Sequence, residues 1–194
     1  MAAFITDEGL NGLVVHVAND TPEAIDAELR VTLYRSGRTI VGEGVRLLAL
    51  RPATTIAVSA EEMLSGFADI SFAYRFGPTG HDTVVVTLLS TATGERIGDA
   101  FHFPLGLSPV GRDIGVSAAA KRIDDQLYEL TVRADAVATA VAIDVRGFVP
   151  DDNYFHLQPA TERVILVRRV EASARFSGSV RALNTAAATR IEVR

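Results

Sequence analysis

The stretch from Pro150 to Pro159, PDDNYFHLQP, places two neighbouring acids, an Asn, two aromatics and a His between two prolines. Carboxylate and imidazole are the groups of general acid–base catalysis, so this is the one segment whose residue types suggest an active site. A glycosidase needs two carboxyls facing each other across a cleft, about 5 Å apart for retention and about 6.5–9.5 Å for inversion, with one kept protonated by burial. Asp151 and Asp152 are chain neighbours in a loop and cannot take up that arrangement. The other acidic pairs, Asp7-Glu8, Glu61-Glu62 and Asp124-Asp125, have the same defect. Asp124-Asp125 lies between KRI and QLYEL, where a hairpin turn calls for such residues.

The remaining nucleophiles and ligands are equally sparse. His16 in LVVHVA and His102 in FHFPL alternate with apolar neighbours, which puts them on the strand face opposite the Val and Phe sets, facing solvent or an interface. His81 follows GPTG and reads as turn chemistry at the opening of a strand. No His pair stands at i, i+2 or i, i+4 with an acid beside it, so no metal site is expected. Ser177 and Ser179 flank Gly178 without a nucleophile elbow, and neither GLNG nor GEG has the spacing or the following helix of a phosphate loop. The expectation is no catalytic, cofactor-binding or metal-binding residue, and no cofactor.

The elements that carry these residues are strands. Alternation of period two in LVVHVA, AELRVTLY, DISFAYRF, DTVVVTLL and FHFPL is the mark of strands with one buried face. NDTPE, RSGR, FGPTGHD and TATGE supply the reversals between them. A short helix is expected over Ala60–Ser65, capped by Ser59 and Glu62 and stopped at Gly66. The Pro- and Gly-rich run PLGLSPVGRD then gives way to a second series, IGVSAAAKRI, QLYELTVRA, AVAIDVRGF, RVILVRRV, SVRAL and TRIEVR. This predicts an all-β chain of two tandem immunoglobulin-like sandwiches, residues 1–109 and 110–194, each of about seven strands. With neither Cys nor Trp in the chain, packing alone must hold the sheets together.

Composition narrows the partners. Of 194 residues 48% are hydrophobic, and 24 acids against 19 bases give a net charge of −5, which opposes binding to a phosphate backbone. No nucleic acid is expected, and no membrane, since no run approaches the ~20 apolar residues of a span. MAAFITDEGLNG has neither the basic nor the apolar part of a secretory signal, so the chain as it stands is expected in the cytoplasm. Stacking on sugars favours Trp, which is absent, but Tyr34 and Tyr74 keep carbohydrate among the conceivable ligands.

From Phe148 to Val167 the sequence FVPDDNYFHLQPATERVILV resembles the C-terminal immunoglobulin-like domain of glycoside hydrolase family 2 β-mannosidases. There a motif of the form D-N-Y-F-D-L-x-P-G-E precedes a Val-rich strand, and Asp152, Asn153, Tyr154, Phe155, Leu157, Pro159 and Glu162 match it. Departures fall at His156, usually Asp, at Gln158, usually Leu, and at Ala160-Thr161, where Gly-Glu is common. EGLNGLVVHVANDT and DISFAYRFGPTGHDTVVVTLL resemble the sandwich that precedes the terminal one in bacterial members. The resemblance implies a non-catalytic accessory region of an enzyme that hydrolyses terminal β-mannosides. Its two catalytic glutamates would lie in an upstream barrel, for which this chain has no strand–helix series. The expected partners are then that barrel and its neighbouring domains. The motif would have a structural role, with Asp152 or Asn153 bonding local amides and Tyr154, Phe155 and Leu157 turned inward or capping the sandwich. A freestanding carbohydrate- or protein-binding sandwich is the alternative.

Overall fold

The computed structural model describes residues 1–66 and 68–194. The chain divides into two compact units, Met1–Gly106 and Leu107–Arg194. In the first, β1 (Ala2–Asp7), β2 (Leu13–Asn19), β3 (Ile25–Arg35), β4 (Thr39–Leu50) and β5 (Thr54–Ser59) are followed by the helix α1 (Ala60–Met63), β6 (Thr83–Ser90) and β7 (Arg96–His102). They form a three-stranded sheet, β1-β2-β5, and a four-stranded sheet, β4-β3-β6-β7. The alternation seen in the sequence becomes burial: Leu13, Val15 and Val17 of β2 meet Leu29, Val31, Val84, Val86 and Leu88 in one core.

Two sequence expectations change here. DISFAYRF is not a strand, although its apolar residues alternate. Ile70 is buried, but Phe72 and Arg75 adopt left-handed backbone angles, and the Asp69 carboxylate accepts from the amides of Ala73 (2.8 Å) and Tyr74 (3.0 Å). An Asp that caps its own downstream amides offers the backbone an alternative to a ladder. The helix ends at Met63 rather than Ser65, because Leu64 is already extended. Ser59 does cap it, accepting from Glu62 N–H at 3.4 Å. Glu61 instead bonds outward, its carboxylate accepting from the Leu13 amide at 3.0 Å and tying α1 to β2.

The long strand β4 contains a glycine for a steric reason. A Cβ on Gly44 would stand 2.2 Å from the Met63 carbonyl oxygen, so the close approach of α1 to β4 requires its absence.

The second unit runs β8 (Ser117–Arg122), β9 (Leu127–Arg133), β10 (Ala138–Val145), β11 (Phe148–Pro150), β12 (Phe155–Leu157), β13 (Glu162–Arg169), β14 (Gly178–Arg181), β15 (Thr189–Arg190) and β16 (Glu192–Val193). Its sheets are β11-β13-β9-β8-β16 and β12-β10-β14-β15. All named pairings are antiparallel except that of β16 with β8. Between the sheets lie Leu130, Val132, Val141, Phe155, Leu157, Ile165, Val167 and Val180. In place of a disulfide and a Trp, Tyr128 stacks on Phe176 at 4.1 Å while Phe148 meets both rings edge-on at 5.6 and 5.1 Å. Both units are thus β-sandwiches, and the chain is all-β in the sense expected from its periodicity.

Candidate functional site

The stretch PDDNYFHLQP is the crossover between the two sheets of the second unit. Its first residue, Pro150, ends β11 in the five-stranded sheet, and Phe155 opens β12 in the other. Asp151 prolongs the first ladder: its amide donates to Leu166 O at 2.9 Å, and its carboxylate accepts from Leu166 N–H at 3.0 Å. Asp152 accepts from the Asn153 amide at 2.8 Å and pairs through its second oxygen with Arg163.

Asn153 then stands in for a strand residue. Its Oδ1 accepts from Ile143 N–H at 2.8 Å and its Nδ2 donates to Ile143 O at 3.2 Å, so one side chain satisfies both main-chain groups of a β10 residue. Tyr154 donates its amide to Val141 O at 2.7 Å, and β12 then pairs with β10 through Phe155 opposite Val141 and Leu157 opposite Ala138, with a bulge between them. Phe155 and Leu157 point into the core, 7% and 1% exposed, with the Arg163 guanidinium 4.7 Å above the Phe155 ring. Pro159 is half-buried before the turn into β13.

Tyr154 corrects the sequence expectation. Its φ is +61° and the residue is 71% exposed, so the ring turns outward and neither enters nor caps the core. The left-handed angle that lets Asn153 and Phe155 both face β10 swings the side chain between them to solvent.

The departures from the resembled motif also find their places. His156 Nδ1 accepts from the Ala140 amide at 3.1 Å, a task the acceptor-only carboxylate of Asp could perform. Ala140 lies in a bulge of β10 between Ala138 and Val141, with φ +45°. The other bulged amide, Thr139 N–H, donates to Asn184 Oδ1 at 3.0 Å, while Asn184 Nδ2 donates to Val137 O at 2.8 Å. Asn184 in RALNTAAA was invisible to motif reasoning, since only the fold brings it to β10. Ala160 has φ +57°, the backbone region where the family's Gly is at ease. Glu162, one position later than in the motif, pairs with Arg133.

The other candidates are dispersed. Asp124 accepts from Gln126 N–H at 2.7 Å in the β8–β9 hairpin, as a turn residue does. Gly178 is needed where it stands, because a Cβ would meet Asp144 O at 2.2 Å. His16 stacks on Phe4 at 4.7 Å, on the face of β2 away from the core. His81 is not turn chemistry at a strand opening: it is 6% exposed, and its Nε2 donates to the Ile70 carbonyl at 2.9 Å, bonding the 68–82 segment to itself. Among the described residues no group of three or more His, Cys, Asp or Glu side chains could hold a metal ion. An open trough of about 560 Å³ along β8 is lined by residues such as Ala119, Lys121, Glu129, Thr131 and Arg133, with no aromatic ring for a sugar to stack on. No helix among the described residues is long and apolar enough to cross a membrane.

His102 has a buried Nε2 that stands 3.8 Å from Asp7 Oδ2, beyond hydrogen-bond reach. Burial pushes its pKa below the ordinary 6.5, Asp7 opposes that shift and His81 adds to it. As pH falls the unfolded chain takes up this proton first, so the neutral imidazole's contribution to stability is complete above about 6.5 and is lost below it. Between pH 7.5 and 5.5 the thermal midpoint of the wild-type chain should therefore fall further than that of His102→Gln. Parallel curves for the two proteins would contradict this.

Geometry of this kind defines a class: immunoglobulin-like sandwich units in which the most polar motif satisfies the backbone of its own crossover. Comparison with known proteins adds a match over part of the chain. Residues 112–186 match the family model of the mannosidase Ig-fold domain, Ig_mannosidase. The β-D-mannosidase of Dictyoglomus thermophilum superposes over 100% of this chain and 22% of its own, with a TM-score of 0.68 at 13% identity. The exo-chitosanase CsxA of Amycolatopsis orientalis superposes over 98% of this chain and 26% of its own, with a TM-score of 0.63 at 13% identity. A structure of the exo-β-D-glucosaminidase CsxA with inhibitors gives 0.66 at 14% identity over the same shares. The chain thus spans about a quarter of the length of these solved enzymes, and the likeness is one of fold. No curated protein sequence matches it.

Proposed function

We propose that this chain is a non-catalytic accessory region of a larger glycosidase of the β-mannosidase type, whose two sandwiches, residues 1–109 and 110–194, pack against and stabilise a catalytic barrel. The observation that carries this reading is the family match of residues 112–186, which covers the whole DDNYFHL crossover. The chemistry agrees with it. Asp151, Asp152, Asn153 and His156 each bond the backbone or an ion-pair partner within the unit, so the motif's polar groups serve the fold. The six residues Asp152, Asn153, Tyr154, Phe155, Leu157 and Pro159 are accordingly structural. The sugar would be chosen by the barrel, because similar sandwiches occur in a β-D-mannosidase and in an exo-β-D-glucosaminidase.

The test compares the purified 194 residues with the full product of the gene that encodes them, using an aryl β-mannoside as substrate. The expected result is turnover, with retention of configuration, by the full product and none by the 194 residues. Turnover that co-purifies with the 194 residues would sink the reading. So would a gene in which a stop codon and a ribosome-binding site lie immediately upstream of Met1.

A further inference from the structure

Tyr154 is the one residue of the crossover whose conformation works against its side chain. A φ of +61° suits Gly or Asn, and a bulky aromatic is uncommon there. Backbone strain of this kind persists only where the surroundings over-determine it, and here they do. Asn153 clamps Ile143, the Tyr154 amide donates to Val141 O, and the Asp152–Arg163 pair closes the flank. None of those contacts needs a tyrosine ring. Asn153 supplies the clamp, and the bond to Val141 uses the main-chain amide of Tyr154, which any residue but proline has. The ring itself is 71% exposed.

We infer that Tyr154 is an interface anchor: its ring projects from the second unit to fill a socket on the neighbouring domain of the parent glycosidase. The inference rests on the accessory reading above and names the contact through which that packing is made. The occupant is a protein surface for two reasons. Sugars and other small ligands bind in concave sites, whereas the Tyr154 ring stands 71% exposed at the surface. The charges beside it, Asp152 and Arg163, are already paired with each other, so the surface presents an aromatic centre with a neutralised polar rim, the make-up of a protein-binding anchor. The matched solved enzymes are about four times as long as this chain, which leaves ample protein to provide the socket.

The experiment uses Tyr154→Asn, which accepts the left-handed backbone without the ring, and Tyr154→Phe, which keeps the ring. Both are made in the 194-residue chain and in the full gene product. In the 194-residue chain, Tyr154→Asn should unfold at or above the wild-type midpoint. In the full product the same change should shorten the half-life of thermal inactivation several-fold, and Tyr154→Phe should leave it within twofold of wild type. A full-product Tyr154→Asn that inactivates at the wild-type rate overturns the anchor while leaving the accessory reading intact. A midpoint that drops in the 194-residue chain as much as in the full product also overturns it, because the ring would then serve the unit itself. A gene product without a barrel removes both.

Discussion

Phe155→Ala is expected to destabilise the second unit by about 3–5 kcal/mol. The ring is 7% exposed, belongs to the core that joins the two sheets, and carries the Arg163 guanidinium on its outer face at 4.7 Å. Truncation removes the apolar contacts and leaves a cavity at the start of β12, a strand of three residues with little pairing of its own. Arg163 would lose the ring and keep its ion pair with Asp152. The check is a urea midpoint from far-ultraviolet circular dichroism, with amide exchange along β10 assigning the loss to this unit. Phe155→Leu, which keeps most of the volume, should cost less than about 1.5 kcal/mol. An alanine variant with a wild-type midpoint would remove Phe155 from the core.

The second large effect is expected at Asn153. Asn153→Ala strands both the N–H and the C=O of Ile143, each of which finds its partner in the Asn153 side chain. With each buried unmet group costing about 1–3 kcal/mol, a loss of about 2–4 kcal/mol is expected. The decisive companion is Asn153→Asp. It is nearly isosteric and still accepts from Ile143 N–H, but it sets a carboxylate oxygen against the Ile143 carbonyl where an amide once donated. It should be at least as damaging as alanine. An aspartate variant as stable as wild type would show that Nδ2 is not bonded to Ile143, and the clamp would have to be redrawn.

Much of the architecture was legible because one face of each strand is buried. Leu29, Val31 and Leu33 of β3 share the core face and alternate with Arg30 and Thr32, as period-two reasoning requires. Where another force sets the pattern, alternation does not make a strand. DISFAYRF alternates, yet Asp69 bonds its own downstream amides and the ladder is never formed. In β4, Gly42 and Gly44 and the exposed Val45 and Leu47 break the alternation, because the strand edges its sheet and must let the Met63 carbonyl approach. The crossover was legible in kind: its prolines and Asx residues announced a connection that bonds local amides. The direction of the Tyr154 ring was not, since residue type gives no sign of a left-handed angle at an aromatic. Asn184 and His156 meet the β10 bulge only through tertiary contacts, which no local spacing encodes.

The pairing of β16 with β8 bears on how the protein is made. The first unit is complete once residue 106 has emerged from the ribosome, and it can fold while synthesis continues. The second must wait for its last strand. Its first strand, β8, is flanked by β9 on one side and on the other by β16, at the far end of the unit. Until Glu192 and Val193 are released, the nascent sandwich presents β8 as an open edge, with Ala118, Ala119 and Ala120 too small to shield it. That interval, set by translation speed, is when the chain is most exposed to pairing with a neighbouring nascent copy.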